Sequence, residues 1–167
     1  PGEVLYVTRS AYLAQNARNL YFDHGFDNDD QEATFLSWRD FLESLRVPPG
    51  REVQWRDFAG WFARQQQAFR GLDAHQAFEE IQGVLAADAG GPLDRAAYLA
   101  LGVRQSIFVD DRERLFDLFE RYRGWLDEAR LYDPGLIATR WREHATPRYD
   151  FIVIDEVQDL TNSQLAL

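Results

Sequence analysis

The stretch Tyr149-Asp150-Phe151-Ile152-Val153-Ile154-Asp155-Glu156-Val157-Gln158-Asp159 decides the fold. Four apolar residues in succession, followed at once by two carboxylates, form the pattern of a strand buried on both faces of a parallel sheet. Ligands of open α/β sheets bind beyond the carboxyl ends of the strands, and that is where Asp155 and Glu156 fall. Asp155 is suited to hold a magnesium ion through a water, because magnesium takes hard oxygen ligands and keeps much of its hydration. Glu156 can orient a water for in-line attack on a phosphoryl group. For a bare Asp-Glu pair the competing reading is two solvated acids at a strand end.

Working outward to the amino terminus, Val4-Leu5-Tyr6-Val7 is a second buried parallel strand closed by Thr8. Ser10 caps a helix from Ala11 to about Tyr21, with Leu13, Ala14, Ala17, Leu20 and Tyr21 recurring at spacings of three and four. Asp23 to Gln31 is a loop by composition. Ala33 to Leu36 is predicted as a short strand before Ser37 caps the next helix.

From Trp38 to about Thr146 the periodicity is helical. Breaks at Val47 to Gly50, Arg70-Gly71, Ala89 to Pro92, Leu101-Gly102 and Asp133 to Gly135 divide it into segments. These run Trp38 to Arg46, Trp55 to Phe69, Ala74 to Ala87, Leu93 to Leu101, Asp111 to Arg130 and Leu136 to Ala145. Trp55, Trp61, Phe116, Phe119 and Trp125 belong to stripes too wide for solvent and are predicted to be core. The fold class that follows is α/β and mainly helical, with the two parallel strands neighbours or nearly so. The expected divisions are residues 1–37, a helical insertion over 38–146, and a return to the sheet over 147–167.

The 167 residues fit one domain with one sizeable core. The 18 basic residues are all Arg, and Cys is absent. The chain therefore has no phosphate-loop lysine, Schiff base, thiol nucleophile or disulfide framework of its own. His24, His75 and His144 have no ligand spacing. Met is also absent, and Pro1-Gly2-Glu3 opens straight into a strand pattern, which reads as a piece of a longer protein. Neither a run of about 18 apolar residues nor a signal peptide is evident, so a soluble, cytoplasmic protein with no membrane partner is expected. A formal net charge of -10 argues against coating nucleic acid by bulk electrostatics, while a local arginine face remains able to meet phosphates.

The run YDFIVIDEVQDLTNSQLAL, Tyr149 to Leu167, resembles the Walker B signature, motif II, of the UvrD/Rep-like superfamily 1 helicases. VLYVTRSAYLAQNAR, Val4 to Arg18, is similar to motif Ia of that family, with Thr8 and Ser10 in place and Arg9 where an aromatic usually stands. EATFLSWRDFLESL, Glu32 to Leu45, resembles motif Ib, with Thr34, Phe35 and Ser37 matching and Leu36 in a position often held by His. Within the middle, Phe78 to Leu85, Arg112 to Tyr122 and Leu131 to Pro134 look like the subset that includes tetratricopeptide- and ankyrin-containing helicase-like proteins.

The resemblance implies part of a RecA-like sheet interrupted by a helical insertion subdomain, from an ATP-dependent translocase on single-stranded DNA, or RNA. Asp155 and Glu156 would then serve magnesium, Asp155, Gln158 and Asp159 would face ATP, Glu156 would activate water, and Gln158 would sense the γ-phosphate. Thr8, Arg9, Ser10, Thr34, Phe35 and Ser37 would meet the nucleic acid, with Arg9 making a phosphate contact in place of stacking. Without a phosphate loop and a second motor half the chain is expected to be inactive alone. Its partners would be the rest of the motor or, through unpaired strand edges, another copy of itself. The alternative is a helical protein-interaction module with a vestigial motif II. A magnesium nuclease using Asp155, Glu156 and Asp159 fails for want of a second carboxylate group or a catalytic Lys.

Overall fold

The computed structural model describes residues 2–167. In chain order its elements are β1 (Gly2–Thr8), α1 (Ala11–Asp23), β2 (Gln31–Ser37), α2 (Trp38–Leu45), β3 (Arg51–Glu52), α3 (Trp55–Gln65) and α4 (Ala74–Glu80). They continue with α5 (Arg95–Leu99), α6 (Arg112–Ala129), β4 (Leu131–Tyr132), α7 (Pro134–Trp141), β5 (Phe151–Ile154) and α8 (Asn162–Leu165). The protein is mainly helical with a small parallel sheet, as the sequence predicts.

Two compact units form. The first holds the described residues up to Val47 together with Trp141–Leu160, and the second holds Pro48–Arg140 together with Thr161–Leu167. The expected divisions at 37/38 and 146/147 therefore move. Ser37 caps α2, whose buried Leu42 packs the helix with the strands of its own unit. At the other end, the Ser163 N–H donates to the Ala87 carbonyl at 2.8 Å, which ties the last residues to the helical unit.

The sheet has the order β2-β1-β5, all parallel, with Tyr6 opposite Phe35 on one side and Val153 on the other. Leu5 and Val7 are buried on one face of β1, while Tyr6 turns to the other, where its ring lies tilted 5.6 Å from Phe35, which in turn lies 5.4 Å from Tyr21 of α1. β5 departs from the expectation of a buried strand: Phe151, Ile152 and Val153 are 70%, 56% and 48% exposed. It is an edge strand, paired with β1 on one side and, among the described residues, unpaired on the other, and these alternating side chains are open on both of its faces.

The helical unit encloses Phe58, Trp61, Phe62, Ile81, Leu85, Tyr98, Leu115, Phe119 and Tyr122. Burying each such side chain contributes about 1.5–3 kcal/mol, enough to fix the aromatic stripes inward. Of the predicted core residues, Trp61, Phe116 and Phe119 are buried and Trp125 stacks on Trp61 with centroids 5.0 Å apart. Trp55 is 40% exposed instead, because it occupies the first turn of α3 and lies against His75 and Phe78 at the rim. The fourth helix passes into a π-helical turn over Ile81–Leu85, with the Ala86 N–H donating to the Ile81 carbonyl at 2.9 Å. The break at Asp133-Pro134-Gly135 starts α7, and a side chain on Gly135 would collide with the Ala86 carbonyl.

Candidate functional site

Parallel pairing sets the geometry of the candidate site. Because β5 runs beside β1 with Val7 opposite Ile154, the residues following both strands leave the sheet at the same edge. The Asp155 N–H donates to the Val7 carbonyl at 2.9 Å, so the ladder continues to the first carboxylate. Glu156 then adopts a left-handed backbone, φ 52° and ψ 49°, which turns the chain sharply into a 3-10 turn over Val157–Asp159. This conformation is uncommon for a residue with a side chain, and such positions concentrate at functional sites. The Gln158 amide donates to the Glu156 carboxylate, and both side chains are exposed.

On the β1 side, Arg9 projects from the turn with 71% of its side chain exposed and reaches Asp159 at 3.3 Å. The residue expected to meet a phosphate and the last acid of the Asp155 to Asp159 run are thus in contact. Tyr6, which the sequence reading left as a strand residue, pairs with Val153, so its side chain shares a face of the sheet with Asp155, two residues on from Val153. Its phenol is pushed up to about 12, first by burial and then by the nearby carboxylates of Asp155 and Glu156. The signal was a phenol in an otherwise aliphatic strand.

The six residues predicted to meet nucleic acid divide. Arg9 is on the open surface and Ser10 is half-buried, with the Ser10 hydroxyl already accepting from the Leu13 N–H at 3.2 Å as the cap of α1. Thr8 and Ser37 lie opposite each other at the sheet's carboxyl end, but both are buried. The Ser37 hydroxyl caps α2, accepting from the Asp40 N–H at 3.1 Å and donating to its carboxylate at 2.6 Å. The Thr8 hydroxyl is enclosed without a hydrogen-bond partner. Thr34 and Phe35 sit within β2, opposite Leu5 and Tyr6, as the strand predicted over Ala33 to Leu36 places them, and that strand runs further at both ends, from Gln31 to Ser37. Phe35 is engaged by Tyr6 and Tyr21 under α1. Of the six, the side chain left open to a phosphate is that of Arg9.

Among the described residues no three carboxylate or imidazole groups gather as a ready-made metal cluster. The donor set is still one that fits magnesium, which usually takes one or two protein carboxylates and completes its shell with water and phosphate. Asp155 is the candidate holder, with Glu156 beside it. Among the described residues no helix is long and apolar enough to cross a membrane. Comparison with known proteins finds no matching family model and no significantly similar curated protein or solved structure.

Proposed function

We propose that this chain is a segment of an ATP-driven superfamily 1 motor that moves on single-stranded nucleic acid, DNA in the first instance. In this reading the sheet is part of a RecA-like core and the helical unit is its insertion subdomain. The observation that carries the reading is the meeting of two turns at one sheet edge, where Arg9 touches Asp159 at 3.3 Å and Asp155 continues the ladder from Val7. These are the two segments that resemble motifs Ia and II, and nothing in their sequence separation of about 150 residues would bring them together by chance proximity.

In this proposal the chemistry is attack of water on the γ-phosphoryl group of ATP with ADP as the leaving group, and Asp155 would hold the hydrated magnesium ion that would offset the phosphate charge. Glu156 orients the attacking water and accepts its proton, and the amide of Gln158 holds the Glu156 carboxylate from one side. Gln158 stands beside both Glu156 and the Arg9–Asp159 pair in sequence, which suits it to relay the state of the phosphate toward the nucleic-acid side. Arg9 supplies one cation to a backbone phosphate. The open, apolar β5 is the edge at which the remainder of the motor would continue the sheet.

The test is made in the ATP-hydrolysing protein that contains this sequence. Glu156→Gln is expected to leave nucleotide binding within about twofold while turnover falls by roughly 10², as loss of a positioned base should. Unchanged turnover would refute the role and make the helical unit as an interaction module the better reading.

A further inference from the structure

At the amino-terminal edge of the three-stranded sheet, the end away from the candidate site, two phenyl rings stand open beside a concentration of acid. Gly25, at φ 66°, closes α1 there: its N–H donates to the Phe22 carbonyl at 3.0 Å, and the Phe26 N–H donates to the Tyr21 carbonyl at 3.1 Å. The closure sets Phe26 against Tyr21 with ring centroids 6.2 Å apart, and Phe22 flanks the same tyrosine at 5.3 Å. Tyr21 rests in turn on Phe35 of β2 at 5.4 Å, so the outer rings stand on the sheet rather than on a free loop. Phe22 is nevertheless 44% exposed and Phe26 62% exposed.

The charge around these rings is one-sided. From Asp23 to Glu32 there are five carboxylates and no arginine, a formal charge of -5, which is half of the chain's -10. Among the described residues none of the five is in an ion pair; paired arginines of this unit reach Asp159, Glu43 and Glu3 instead. Asp23 is the last residue of α1, whose final turn holds no basic residue, so its carboxylate adds to the partial negative charge of the helix end. The one cation brought to the cluster lies on a ring: the Arg18 guanidinium is 5.2 Å from the centroid of Phe22.

We propose that this edge is a docking surface for a basic segment of a partner protein, one in which arginine or lysine alternates with apolar side chains. A cation of that segment lies over the Phe26 ring as Arg18 lies over Phe22, its charge is offset by the carboxylates between Asp27 and Asp30, and an apolar neighbour covers the rest of the exposed rings. An uncharged apolar segment would leave the acids uncompensated, a nucleic acid would be repelled by them, and a second copy of this chain brings a further charge of -10. The hydrogen-bonded closure of α1 holds the rings in place before binding, so little ordering is lost when the partner arrives. The length of β1 separates this surface from the turn at Arg9 by about 20 Å, and the inference does not depend on the roles given to Asp155 and Glu156.

The probe is a short synthetic peptide that alternates arginine with leucine, titrated into the isotope-labelled 167-residue chain beside a counterpart carrying citrulline at every arginine. The arginine peptide is expected to shift the amides of Tyr21 to Asp30 saturably, and the citrulline peptide to bind at least about tenfold more weakly. Asp27→Asn combined with Asp29→Asn, both exposed, should weaken the arginine peptide about fivefold at low salt and reduce its salt dependence. Phe26→Leu keeps an apolar contact for Tyr21 but removes the ring face, and should weaken the same peptide about threefold or more, with unchanged β1 amide shifts reporting an intact sheet. Equal binding of the two peptides, or unchanged affinity in Phe26→Leu, would overturn the proposal. So would shifts at Asp117 and Glu120 of α6 as large as those at Asp27 and Asp29, which would mean that the peptide follows acid wherever it stands. Concentration-dependent shifts of the Tyr21 to Asp30 amides in the free chain would make a second copy the occupant and overturn it as well.

Discussion

Tyr122→Phe deletes one oxygen from the centre of the helical unit and tests what holds α6 to the start of α7. The Tyr122 hydroxyl donates to Asp133 Oδ2 at 2.9 Å, and both residues are buried. Asp133 is the cap of α7: its Oδ1 accepts from the Gly135 and Leu136 N–H groups at 2.9 and 3.2 Å, and Gln82 approaches Oδ2 at 3.4 Å. Burial pushes the Asp133 carboxyl up, and these four donors pull the other way. Removing Tyr122's hydroxyl leaves Oδ2 with the long contact to Gln82 alone. A hydrogen bond to a buried acid contributes about 1.5–3 kcal/mol, while the phenyl ring keeps its contacts with Phe58 and Trp61, so no cavity term is added. The expected loss is therefore about 2 kcal/mol. Urea unfolding followed by tryptophan fluorescence reads it directly, since Trp61 and Trp125 both adjoin Tyr122. The midpoint should fall with the slope unchanged. Because the weakened site favours the protonated acid, the deficit should shrink as the pH is lowered toward the carboxyl's own range. A loss under about 0.5 kcal/mol, or a deficit that does not change with pH, would refute the picture of a Tyr122-supported cap.

Two further predictions concern charged groups. On the proposed function, Arg9→Ala in the proposed motor should weaken single-strand binding across all sequences and reduce the slope of log affinity against log salt by about 0.7, one lost phosphate contact; a slope unchanged from wild type would remove Arg9 from the proposed nucleic-acid face. The Arg51 guanidinium holds the Asp57 carboxyl down to about 2, through bonds of 2.7 and 2.6 Å. A depressed acid contributes stability above its unfolded value near 4 that is lost as the pH falls toward 2, so Asp57→Asn should cost roughly 1 kcal/mol at pH 6, after allowing for solvent screening, and almost nothing at pH 2. Denaturation midpoints at the two pH values check it.

The sequence made the sheet legible because its strands are short apolar runs with punctuation: Thr8, Ser37 and Asp155 each mark the place where a strand ends. Helix starts were equally readable where a capping side chain was recognised, and Ser10 and Ser37 each accept from an N–H three residues on; the start expected at Leu93 falls at Arg95 instead, behind Asp94, which accepts from the Ala97 N–H. Helix ends were less so. Trp55 to Phe69 reads as continuous, yet α3 stops at Gln65 and gives way to turns, and the run Ala74 to Ala87 switches to π-helical bonding after Glu80. The two-residue pairing of Arg51–Glu52 with Leu131–Tyr132 joins positions about 80 apart and has no local signature at all. At the candidate site, residue types were visible but exposure was not. Thr8 and Ser37 read as polar groups at strand ends, and whether such hydroxyls face solvent depends on the helices that fold back over them. An apolar run likewise reports that a strand can be buried, while its position at the sheet edge decides that Phe151 to Val153 are open.

Glu156 supplies a last prediction, in which stability and chemistry should part. Among the described residues, two other than glycine have positive φ. Arg130 follows the last residue of α6, where a left-handed residue closes a helix end and its N–H bonds back to Asp127 and Leu126. Glu156 follows a strand, so no helix end explains it; the left-handed turn is what carries the chain from β5 into the Val157–Asp159 turn. The conformation costs a residue with a Cβ about 1–2 kcal/mol relative to glycine. Glycine in turn gives the unfolded chain more freedom, which takes back about 0.5–1 kcal/mol. Glu156→Gly should therefore be neutral to about 1.5 kcal/mol more stable, while turnover in the proposed motor should fall at least as far as in Glu156→Gln. Hydrogen exchange of the β1 amides, which sit in the ladder with β5, measures the stability of this unit without contributions from the other. Faster exchange by more than about fivefold would mean that the Glu156 side chain stabilises the turn, and the strain would then have to be assigned to the architecture rather than to a carboxylate retained for its reactivity.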